Sequence, residues 1–77
     1  MNEELRTKFA DTAHDVWAHW MLYQFSQCEY NADGSVTIPA EKVKRWSRQM
    51  NTPFVELTEK EQASDYEQAD KYLAHLG

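Results

Sequence analysis

The chain has 77 residues, 42% of them apolar and 27% charged, which is one small domain with no room for a second. A chain this short buries only about 60% of the surface its unfolded form exposes, so its thin core calls for dense helix packing, a staple or a partner chain. A single cysteine, Cys28, excludes an internal disulfide framework and a Cys-rich zinc site, and a net charge of -5 argues against a primary nucleic-acid binder.

No run of about 18 apolar residues occurs and the N-terminus carries no apolar signal core, so the sequence predicts a soluble, cytoplasmic protein with no membrane partner.

The first predicted element is one long helix from about Glu3 to Cys28. Leu5, Phe9, Ala13, Val16, Trp17, Trp20, Met21 and Phe25 follow the 3,4 spacing of a helix face. Glu4, Lys8, Asp11 and Asp15 fall opposite, with His14 and His19 on the borders. Leu22 falls on the polar side, so it is either exposed or covered by something else. At about 1.5 Å per residue such a helix is roughly 40 Å long, more than a globule of this size needs. A helix like that wraps a core or a second subunit.

From Glu29 to Ile38, an Asp33-Gly34 pair and the alternation of Val36 and Ile38 with polar residues predict a small hairpin or irregular loop. Pro39 suits the first turn of a second helix, which ends near Met50 with Ala40, Val43, Trp46 and Met50 on one face. Lys42, Lys44, Arg45 and Arg48 lie on it, four of the chain's eight basic residues. Set against Glu41 they make +3, so the rest of the chain carries -8. Asn51-Thr52-Pro53 breaks the helix, and Phe54, Val55 and Leu57 then cross the core as an extended segment. Thr58 with Glu61 forms a capping box that starts a third helix, whose buried stripe is Ala63, Tyr66, Ala69, Leu73 and Leu76. The predicted architecture is mainly α, a three-helix domain over residues 1–77 with a short hairpin between helices one and two.

Four features carry candidate chemistry. The loop from Glu29 offers Asn31, Asp33, Gly34, Ser35 and Thr37 in partial EF-hand register. It lacks the closing bidentate acid, since Ala40 stands where that acid belongs. A plain Asp-Gly turn is the better reading. Asp11, His14 and Asp15 share one side of the first helix, but nothing elsewhere marks a further metal ligand, so a structural histidine is preferred. Cys28 has neither a second thiol nor a nearby histidine and reads as a small hydrophobe. No serine or cysteine sits in a recognisable nucleophile setting, and the sequence predicts a non-enzyme without cofactor or metal.

The basic helix is the fourth. Arg45 and Arg48 stand three apart on one side of it, with Trp46 beside them and Trp17 available from the first helix. Guanidinium groups with an aromatic plane are what a phosphate-bearing ligand needs, namely bidentate anion contacts and a stacking surface. The competing reading makes Trp46 core and pairs the basic groups with the acidic helices one and three.

The residues resemble the ryanodine-receptor repeat domain, or RyR domain. Its first-helix pattern Ala-x-x-x-His-x-x-Trp is matched by Ala10, His14 and Trp17. Its proline-aromatic segment and acidic tail helix are similar to Pro53, Phe54, Leu57, Glu59, Glu61, Asp65, Tyr66 and Leu73. The resemblance runs from about Phe9 to Leu76. The middle departs from it, with Asp33-Gly34 and the basic helix replacing a Gly-Trp and Tyr-Gly stretch.

A stand-alone copy of the bacterial or phage type implies recognition of a nucleotide-derived ligand. The reading is non-enzymatic binding of a small anionic ligand, a nucleotide or nucleotide second messenger, by a homo-oligomer. Encoded by a phage, it would act as a sponge that sequesters a host immune signal. The residues assigned to the ligand are Arg45 and Arg48 for phosphate, Trp17 or Trp46 for a base, and His14 or Thr52 for a hydrogen bond. The alternative is a protein-interaction module with no small ligand, whose basic helix docks on an acidic partner.

Overall fold

A computed structural model describes residues 3–77. Helix α1 spans Glu3–Ser26, and strands β1 (Glu29–Tyr30) and β2 (Val36–Thr37) pair antiparallel. Helix α2 spans Ala40–Met50, a 3-10 turn covers Phe54–Glu56, and helix α3 spans Glu59–Leu73. The fold is mainly α, three helices and a two-stranded hairpin, as the sequence predicts. No helix among the described residues is long and apolar enough to cross a membrane.

Local signals set the element ends. The Asn31 carbonyl accepts from the Gly34 N–H at 3.1 Å, and Gly34 adopts φ 91°, which closes the hairpin turn. The Asp33 carboxylate accepts from both the hydroxyl and the backbone N–H of Ser35, and those two bonds hold it below the usual carboxylate range. Pro39 supplies the N-cap of α2. At α3 the capping box is complete: Glu61 N–H donates to the Thr58 hydroxyl, and Thr58 N–H donates to the Glu61 carboxylate.

One end of the molecule is closed. Phe9 of α1 meets Tyr72 of α3 edge-on at 5.9 Å, and Thr12 Oγ1 lies 2.6 Å from His75 Nε2. Elsewhere the packing is sparse. Among the described residues no apolar side chain is fully buried, and the two buried residues are Thr12 and Gln68. The molecule is flat and elongated, 46 × 33 × 16 Å. The radius of gyration is 15.7 Å, against ~11.5 Å for a compact chain of this length.

Three sequence expectations are corrected. The wide apolar arc of α1 is split: Leu5, Phe9, Val16 and Trp20 turn inward, whereas Ala13, Trp17 and Phe25 stay exposed. The segment after Pro53 is a 3-10 turn, not an extended crossing of the core, and Val55 is 78% exposed on it.

The third correction concerns α3. Its expected stripe of Ala63, Tyr66, Ala69, Leu73 and Leu76 is exposed, and the half-buried to buried line is Glu61, Asp65, Gln68, Tyr72 and His75. The physical reason is the set of contacts that fix the rotation of α3. Arg48 pairs with Glu61 at one end, and Thr12 and Phe9 hold His75 and Tyr72 at the other. That places a polar face inward.

Candidate functional site

The polar inner face of α3 and the aromatic end of α1 enclose the open end of the molecule. A cavity of about 750 Å³ lies there, walled by Trp20 and Tyr23 of α1, Trp46 and Gln49 of α2, and Asp65 of α3. A second lobe of about 440 Å³ shares Trp20, Tyr23, Trp46 and Gln49 and adds Arg45 and Lys60. The two lobes are one cleft. Each lobe taken singly lies within the range of roughly 300–1,000 Å³ usual for small-molecule sites.

Helix spacing explains the walls. Trp20, Tyr23 and Gln24 stand one turn apart on α1, and Trp46 with Gln49 does the same on α2. The rings form a chain: Trp20 meets Tyr23 at 6.1 Å, and Tyr23 meets Trp46 at 6.4 Å. Arg45 donates to the Tyr23 hydroxyl at 2.9 Å, which ties α2 to α1 across the cleft. No acid lies within ion-pair distance of Arg45 among the described residues, so its charge is uncancelled by any direct contact.

Arg48 differs. It pairs with Glu61, whose carboxyl is held below the usual range first by the Thr58 backbone N–H and then by Arg48. The pairing of basic groups with acidic helix three, expected as the competing reading, therefore holds for Arg48 and not for Arg45. Thr52 lines the larger lobe while its hydroxyl donates to the Arg48 carbonyl, so toward the cleft it can only accept.

His14 and Trp17 sit elsewhere. Their rings lie 5.7 Å apart on α1, and neither lines the cleft. Trp17 is exposed on α1, whereas Trp20, three residues on, is half-buried and lines the cleft. Of the six residues assigned from sequence, the structure brings Arg45, Trp46 and Thr52 to the cleft, sets Arg48 at its edge through Glu61, and leaves His14 and Trp17 outside.

Sequence reasoning missed Trp20, Tyr23, Gln24, Gln49 and Asp65 as wall residues. A signal was present. Gln24 and Gln49 each occupy an inward position of a helix where an apolar residue is expected, one turn past Trp20 and Trp46. The buried Gln68 continues that pattern on α3, and its Oε1 has no hydrogen-bond partner. Among the described residues no cluster of three or more His, Cys, Asp or Glu is placed to hold a metal ion. No family model matches the chain, and neither curated proteins nor solved structures match it.

Proposed function

We propose that the chain is a stand-alone RyR-like domain that binds a small anionic ligand, a nucleotide or nucleotide second messenger, without turning it over. The observation that supports this is the cleft between the helices: indole and phenol walls from Trp20, Tyr23 and Trp46, with the Arg45 guanidinium, which has no ion-pair partner among the described residues, in a lobe that Glu61 also lines. A purine or pyrimidine stacks on an indole, and a phosphate takes two parallel N–H bonds from Arg45. Lys60 adds a second cation to the same lobe. Gln24 and Gln49 offer both donors and acceptors to a base edge, and Asp65 accepts from a ribose hydroxyl or an exocyclic amine.

Binding alone suffices for a biological effect. An abundant protein that holds a signalling nucleotide lowers its free concentration by mass action, which is how a phage-encoded sponge would blunt a host immune signal. The test is isothermal titration against cyclic dinucleotides, cyclic trinucleotides and cyclic ADP-ribose isomers. Saturable binding with intact ligand recovered afterwards is the expected result. Silence across the panel would move the basic face of α2 to the role of a docking surface for an acidic protein.

A further inference from the structure

We infer that two copies of this chain pair through the outward face of α1, crossing antiparallel near Met21 and Leu22. From Val16 to Cys28 the chain contains no Asp, Glu, Lys or Arg, which covers the C-terminal half of α1. Trp17, Ala18, Leu22 and Phe25 on that half are exposed, Leu22 at 74% and Trp17 at 58%. With the half-buried Met21 they follow 3,4 spacing, so they form one stripe roughly 60° and more away from the inward Trp20. An uncharged, aromatic helix face left in water marks an interaction surface.

Surface area leaves room for a partner the size of a second copy. The chain exposes 6230 Å², roughly 1,300 Å² more than the ~4,900 Å² of a compact monomer of this mass. A stable pairing hides about 800 Å² on each partner, so the excess is enough for one such interface. Charge excludes occupants that need a basic surface. No Lys or Arg occurs between Lys8 and Lys42, so the face has nothing to attract an acidic protein, a nucleic acid or an anionic lipid surface. Self-pairing needs no charge complement.

The same pattern sets the direction. Asp11 and Asp15 lie on the N-terminal side of the uncharged run, where a parallel pair would bring acid against acid. An antiparallel crossing at the midpoint of the uncharged run keeps both acids clear of each other. The exposed apolar stripe of α3 is the weaker candidate, because Glu59, Glu67, Asp70 and Lys71 crowd it. Pairing also gives Trp17 a role that the cleft does not.

The test is the mass in solution, by sedimentation equilibrium at tens of micromolar, of the wild type and of Ala18→Arg, Leu22→Arg and Leu73→Arg, with helicity checked by circular dichroism. The expected result is twice the 9.1 kDa chain mass for the wild type and for Leu73→Arg, and a single chain mass for the two α1 variants. A wild type at a single chain mass overturns the inference. So does a dimer that survives both α1 changes. Should an α1 variant lose its helicity, Leu22→Cys in a Cys28→Ser background decides: rapid oxidation to a linked dimer supports the crossing, and its absence overturns it.

Discussion

The two ends of the molecule use the same residue types for opposite purposes. At the closed end Phe9, Tyr72 and His75 pack ring against ring, and Thr12 meets His75 at 2.6 Å. At the open end Trp20, Tyr23 and Trp46 stand around a cleft whose larger lobe is about 750 Å³. The difference arises from what faces the rings across the gap. Phe9 meets Tyr72, an aromatic partner, whereas Trp20 and Trp46 face a stretch of α3 that offers Glu61, Ser64 and Asp65. The rings that face the aromatic side of α3 close up, and those that face its carboxylates and hydroxyl leave room. In this chain an aromatic residue closes the packing or walls the cleft according to what faces it.

Breaking each end in turn should separate stability from binding. Phe9→Ala removes the ring on which the closed end is built, and a half-buried phenylalanine of this kind carries about 2 kcal/mol. Denaturant unfolding should move by that amount, with the unfolding of Trp46→Ala shifted less. Binding should follow the reverse order. Arg45→Ala removes a charged donor, so affinity for a phosphate-bearing ligand should fall roughly tenfold to a hundredfold, measured by titration, with helicity unchanged. An Arg45→Ala protein that binds like the wild type would remove Arg45 from the site.

Smaller changes sharpen the comparison. Gln68 is buried with Oε1 unpartnered, and Gln68→Leu should raise unfolding stability by about 1 kcal/mol by removing that orphan. A loss instead would mean that the amide makes a contact that leucine cannot replace. Thr58→Ala should cost about 1 kcal/mol through loss of the α3 cap.

The smallest effect is a pH dependence. Glu61 in the folded chain lies below the usual carboxylate range, so its contribution to stability is present above its unfolded value and disappears as pH falls through that range and below. Glu61→Gln should flatten the acid limb of the stability curve, and an unchanged limb would assign acid sensitivity elsewhere.

Much of the backbone was legible in the sequence because its signals are local. The Asp33-Gly34 turn, Pro39 at the head of α2 and the Thr58 and Glu61 capping box each act within four residues. Rotation about a helix axis is not local. Both faces of α3 look plausible in sequence, and only contacts to Arg48, Thr12 and Phe9, distant in the chain, turn Gln68 inward and Leu73 outward. The arc of α1 was too wide for one packing face, and the structure leaves Leu22, on its polar side, exposed.

Three tryptophans give a direct reading of the cleft. In a nitrogen-15 correlation spectrum, Trp17, Trp20 and Trp46 each contribute one indole N–H signal. Adding members of the cyclic dinucleotide, cyclic trinucleotide and cyclic ADP-ribose panel should move the Trp20 and Trp46 signals together, in a saturable manner, while Trp17 stays in place. Movement of Trp17 alone, or three stationary signals across the whole panel, would contradict binding in the cleft.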